Sequence, residues 1–205
     1  MRLLIALVVW AACIAGAFAL SSAVASSIGN TTTTASSGSA SSGSAPAASS
    51  FDASDVKATD SDSLFRAANL AKALAIVRKH FGADAEVTDA TVYPGYLDLT
   101  IVKAGQENDV YVDAQGAYSP TSMGSAAGDQ VFPLSQLPLD GPQTLALRIA
   151  KYGGTPESEL AYMVLDVDST TNRIEWLVYP LQGNRVEYFQ AASPTSLIHG
   201  FLAGG

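Results

Sequence analysis

The sequence predicts an α+β fold of two tandem αβββ units, each a helix packed on a three-stranded antiparallel meander. Three observations carry that expectation. An amphipathic helical stretch, Asp62 to Phe81, is followed by short runs in which apolar and polar residues alternate. A similar order returns in the second half, where Asp140-Gly-Pro142 opens another helix. Residues also match between the halves at a nearly fixed offset. Ser63, Lys79 and Gly82 recur as Ser135, Lys151 and Gly154 (151 − 79 = 72), and Ser119-Pro-Thr-Ser122 recurs as Ser193-Pro-Thr-Ser196 (193 − 119 = 74). A two-residue insertion in a hairpin loop reconciles the offsets.

The chain opens with an uncharged apolar run, Leu3 to Leu20, preceded by Arg2. Within residues 1–25 it reads as a signal peptide with its cleavage site at Ala23-Val24-Ala25, or as an N-terminal membrane anchor. As a helix it would reach about 27 Å, close to the ~30 Å hydrocarbon core. Residues 26–59 are dominated by Ser, Thr, Ala and Gly, with an acidic stretch from Phe51 to Asp60 closing the run. Such a composition buries too little apolar surface to offset chain entropy and predicts a disordered spacer. A leader followed by a spacer places the rest of the chain outside the cytoplasm.

The first unit is expected over residues 60–118. Its helix carries Ala67, Leu70, Leu74, Val77 and Phe81 on one face, and Gly82 ends it. Strands follow at Glu86–Tyr93, Tyr96–Lys103 and Asp109–Asp113, the first two joined by Pro94-Gly95, a pair suited to a type II turn. Residues 119–139 read as a bridge lying against the core. The second unit is expected over residues 140–192. Asp140 is its plausible helix cap, Leu145, Ile149 and Tyr152 its buried face, and Glu159–Asp168, Arg173–Leu181 and Arg185–Gln190 its strands. The tail, residues 193–205, carries Leu197, Ile198, Phe201 and Leu202, and is expected to fold back over the nearest apolar surface.

A helix followed by a meander that ends in Tyr111-Val-Asp-Ala-Gln-Gly116 resembles the PepSY-type module, and the tandem layout is similar to that of β-lactamase inhibitor proteins. The spacing from Ala114 to Gly116 is one residue shorter than the PepSY-type turn, and the second half has Tyr188-Phe-Gln-Ala191 in its place. The resemblance implies non-catalytic binding or inhibition outside the cell.

Charge and motif content exclude several function classes. A net charge of −8 disfavours nucleic-acid or anionic-membrane surfaces as partners. The single cysteine, Cys13, lies in the leader, so the folded part has no thiol chemistry. His80 and His199 are the only histidines, no Gly-x-Ser-x-Gly elbow or phosphate loop occurs, and no calcium loop is present. No catalytic residue, metal site or cofactor is therefore expected. The acidic pairs Asp166/Asp168 and Asp109/Asp113 read as solvated strand faces.

The second meander differs from the first in being apolar on both faces, which singles out Tyr162, Leu177 and Tyr179 as a partner surface unless the bridge or tail covers them. The expected function is an extracytoplasmic, non-enzymatic binding or inhibitory module of the cell envelope, tethered or secreted, with a protein or peptide partner. The alternative is a structural or assembly subunit of an envelope complex. The membrane itself is a partner through the N-terminal segment if that segment stays uncleaved.

Overall fold

The computed structural model of the chain describes residues 51–126, 128 and 130–202. The leader expected over 1–25 and the spacer up to residue 50 lie outside the described residues. The rest belongs to one unit, Ala48–Gly205. No helix among the described residues is long and apolar enough to cross a membrane.

The first helix, α1 (Ala67–Phe81), starts later than the expected Asp62, because the preceding residues use their backbone elsewhere. The Leu64 N–H donates to the Pro94 carbonyl at 2.6 Å, and the Asn69 side chain donates to the carbonyls of Ser61 and Ser63. Its inner face is Leu70, Ala73, Leu74 and Val77. Gly82, at φ 99, ends it where Arg78, Lys79 and His80 complement the carbonyl end of the helix.

Among the described residues nine strands follow: β1 (Glu86–Val92), β2 (Tyr96–Lys103), β3 (Gln106–Asp113), β4 (Tyr118–Ser125), β5 (Phe132–Pro133), β6 (Leu160–Asp168), β7 (Arg173–Pro180), β8 (Val186–Ala191) and β9 (Ile198–Leu202). Between β5 and β6 lie α2 (Gly141–Arg148) and a π-helical turn, Ile149–Gly153. The strands form one antiparallel sheet in the order β4-β3-β2-β1-β6-β7-β8-β9, with the short β5 beside the start of β1.

This arrangement overturns the expectation of two tandem αβββ units. Part of the bridge becomes β4, pairing with β3, and part of the tail becomes β9, pairing with β8. Each would otherwise leave a row of unpaired backbone donors and acceptors on a sheet edge. Pro120, which cannot donate to a ladder, is tolerated because β4 is itself an edge. The two meanders then merge, since β1 pairs with β6 from Asp89↔Asp166 to Val92↔Met163. The result is a β-rich fold with one continuous sheet and one core. That core joins Leu74, Leu99 and Val110 of the first half to Leu145, Trp176 and Phe189 of the second.

Three local expectations also change. Gly95 is not among the glycines at positive φ, so Pro94-Gly95 does not make a type II turn. The glycine is needed for close approach instead, because a Cβ there would collide with the Ala53 carbonyl. Asp140 makes no side-chain capping bond. Tyr152, expected on the buried face of the second helix, is 68% exposed, because the wide π turn moves it off the 3.6-residue period.

Candidate functional site

Side chains alternate across a strand, so the sheet has two chemically different faces. One set, including Val92, Leu97, Leu99, Val110, Met163, Leu165, Trp176 and Phe189, is buried in the core. Both helices pack there: α1 through Leu70, Leu74 and Val77, and α2 through Leu145 and Ala146, while Gly141 abuts Trp176. The other set points to the opposite, outer face. The register identifies it as Asp98↔Tyr111, Thr91↔Asp98, Thr91↔Val164 and Val164↔Leu177 on successive strands. These residues are half-buried among themselves, except Thr91, which is fully buried.

A row of aromatic rings crosses this outer face. Ring centroids lie 5.1 Å apart for Tyr111–Tyr96, 4.1 Å for Tyr96–Tyr93 and 5.1 Å for Tyr93–Tyr162. The row continues at 4.6 Å for Tyr162–Tyr179, 5.9 Å for Tyr179–Tyr188 and 4.5 Å for Tyr188–Phe201. It therefore runs unbroken from β3 through the central β1–β6 seam to β9. Burial raises the phenol pKa values of Tyr93, Tyr96, Tyr111 and Tyr162, and pushes Tyr179 up to about 12, so the hydroxyls stay protonated donors. Several neighbours are nearly parallel, at 14–18° for Tyr188–Phe201, Tyr93–Tyr96 and Tyr162–Tyr179. Rings that spend their faces on one another offer edges and hydroxyls outward. This favours a broad, mixed apolar and hydrogen-bonding contact over the free ring faces that cation–π binding needs.

Two of the three residues singled out by sequence, Tyr162 and Tyr179, are direct neighbours in this row. Leu177 lies one pair farther along, between Val164 and Gln190. Sequence reasoning missed Tyr93, Tyr96, Tyr111, Tyr188 and Phe201. Strand parity marks Tyr96 and Tyr188 as outward-facing, but only the strand order aligns them. The tail does not fold over this face as expected. It adds β9 at the edge, contributes Phe201 to the row, and leaves Leu197 and Leu202 72% and 69% exposed.

Beside the aromatic row lies a row of acids: Asp109, Asp98, Asp89, Asp166 and Glu175, one from each of five adjacent strands. Burial is the main cause that pushes the Asp98 carboxyl up to about 8, helped by its hydrogen-bond contact with Asp109 and by that residue's charge. Burial likewise pushes Asp89 up to about 6, with the charges of Asp166 and Asp109 adding to it, and raises Asp166. Glu175 accepts from the Gln190 amide at 2.6 Å. Among the described residues, the one salt bridge is Arg66–Glu157, at 2.7 Å and away from this row. The Thr91 hydroxyl, 1% exposed, has no hydrogen-bond partner.

Elsewhere the chemistry is plainer. His80 stacks on Tyr118 at 4.2 Å, and His199 lies on the edge strand β9. Among the described residues, no three His, Cys, Asp or Glu side chains are arranged to hold a metal ion. A shallow groove of about 530 Å³ lies between the π turn and the β8–β9 edge, lined by Arg148, Tyr152, Phe189, Leu197 and Leu202.

Comparison with known protein families and with curated proteins gives no match. Among solved structures, a protein of Clostridium difficile 630 named a "putative lipoprotein" is similar at 11% identity and a TM-score of 0.43, covering 63% of this chain and 89% of its own. A likeness of that size carries no inference about this chain's role.

Proposed function

We propose that the chain is an extracytoplasmic, non-catalytic binding or inhibitory module, tethered or secreted, whose protein or peptide partner docks on the tyrosine row around Tyr162, Leu177 and Tyr179. The observation that carries this reading is the unbroken row of seven rings on a face opposite both helices. Crossing seven strands at about 4.8 Å per step, the row spans roughly 29 Å, the scale of a protein interface rather than of a small-molecule pocket. Tyrosine suits that role, since it joins large contact area to a hydrogen bond at low entropic cost. The apolar leader and the Ser/Thr/Ala/Gly-rich spacer in the sequence support the extracytoplasmic address, and the PepSY-type resemblance of the Tyr111–Gly116 turn supports a non-catalytic role.

The test is site-specific photocrosslinking in the source organism. A photoreactive residue at Leu177 should give a discrete adduct, and one at Leu147, exposed on α2, should not. Equal adducts from both positions, or none from Leu177, would remove the outer face as the partner surface.

A further inference from the structure

In the acid row Asp166 accepts the Val167 N–H at 2.6 Å, but no base among the described residues neutralises any of its four aspartates. A solvated strand face keeps its carboxylates apart or pairs them with bases. Here Asp98 and Asp109 are diagonal neighbours on β2 and β3, and Asp89 stands directly across from Asp166 at the β1–β6 seam. None of the four has a salt-bridge partner among the described residues. Like charges held together and half-desolvated oppose folding, so their placement calls for a ligand that relieves them.

Thr91 is the independent second observation. It lies on the same side of the sheet, in register with Asp98 on β2 and Val164 on β6, and two residues along β1 from Asp89. Its hydroxyl is buried and unpartnered, which costs free energy until something meets it. The site thus offers carboxylate oxygens and a hydroxyl at the centre of the sheet, immediately beside the tyrosine row. The complement is a compact positive group with several donors. A divalent ion does not fit, because no three of these groups converge on one point. A lysine ammonium with three donors, or an arginine guanidinium with five, reaches separated acceptors from one side, and the ring edges shelter its aliphatic stem.

We infer that Asp89, Asp98, Asp109 and Asp166, with the Thr91 hydroxyl, form a site for a lysine or arginine side chain presented by a protein partner docked on the tyrosine row. This rests on reading the outer face as the partner surface, and it adds the partner's chemistry. The other charged groups of that face lie to its sides. Glu175 is held by Gln190, Asp113 is turned onto the backbone N–H groups of Gln115 and Ala117, Asp168 accepts from the Thr170 N–H and the Thr171 hydroxyl, and His199 is on the far edge. The raised carboxyl pKa values of Asp98 and Asp89 mean that an arriving cation displaces protons rather than joining a finished ion pair.

The experiment uses the full chain and three probes: an acetylated Ala-Lys repeat peptide, its Ala-Glu counterpart, and calcium ion alone. Calorimetry at low ionic strength should show binding of the Ala-Lys peptide only. The double variant Asp89→Asn/Asp98→Asn should weaken it by about tenfold or more, whereas the remote pair Asp62→Asn/Asp140→Asn should not. Circular dichroism confirms that each variant is folded, and Asn substitution relieves rather than creates repulsion. Equal loss from the remote pair would reduce the effect to overall charge and overturn the inference. Calcium binding that depends on Asp98 would also overturn it, in favour of a metal site. If the Leu177 crosslink forms but the Asp double variant leaves it and the peptide affinity unchanged, the outer face remains the partner surface and the cation site is wrong.

Discussion

The two halves of the sheet share an order of elements and differ in what they put on the outer face. Strands β1–β4 contribute Asp89, Asp98 and Asp109 beside their tyrosines, whereas β6–β9 set Val164 and Leu177 beside theirs. Their helices differ as well. The first is an uninterrupted 15-residue α-helix, and the second is 8 residues long and runs on into a π turn that exposes Tyr152. What the halves share is dictated by the core, where Leu99 and Trp176 meet the same cluster. What they do not share lies where the core makes no demand. The first half supplies three of the acids, the second adds Asp166 and Glu175 together with the apolar area of Val164 and Leu177, and the aromatic row joins them.

The largest expected effect tests whether the halves are separable. Leu99→Ala and Trp176→Ala each empty a fully buried position, and each should cost about 2–5 kcal/mol. Because β1 pairs with β6 over one core, either substitution should lower a single transition of the whole sheet. Calorimetry that resolved two transitions, only one of them shifted, would show two independent units.

A smaller effect tests the charge asymmetry. Asp98 titrates at about 8 in the folded chain, against an ordinary value of 3.8. Between those values the folded state holds more protons than the unfolded one, so stability should fall as pH rises from about 4 to 8. Asp89, at about 6, adds to the loss over the lower part of that window. Asp98→Asn should flatten the profile and raise Tm near pH 8 by about 2–4 °C, a modest gain because the half-exposed site is screened by solvent. A stability profile that rises over this window, with no gain from Asp98→Asn, would mean the carboxylates titrate normally.

Much of the strand layout was legible, since β2 alternates Leu97, Leu99 and Ile101 with Asp98 and Thr100 in the period that a half-buried strand requires. Long-range pairing was not. Nothing local to Asp89 or Asp166 announces that they meet, because that register is set by where two distant meanders join. The edges misled for a related reason. Tyr118–Ser125 holds Pro120, Gly124 and three serines, so its sequence is that of a loop, and it becomes a strand because β3 offers it a ladder. Tyr162 and Tyr179 stood out because the second meander is apolar on both faces. Tyr93, beside Pro94-Gly95, and Phe201, beside Gly200, were hidden in turn-like surroundings. The acids were read along strands, as Asp109 with Asp113 and Asp166 with Asp168, whereas their cluster forms across strands.

Hydroxyl-radical footprinting of the purified protein and of the protein in its native setting tests the partner face most directly. Tyr179 reports on the outer face and Tyr152, 68% exposed beyond α2, reports on the other. The partner reading predicts that Tyr179, with Tyr162 and Tyr188, is labelled in the purified protein and protected in the native setting, while Tyr152 is labelled equally in both. Protection of Tyr152 with the tyrosine row unchanged would contradict it and place the partner on the helical side.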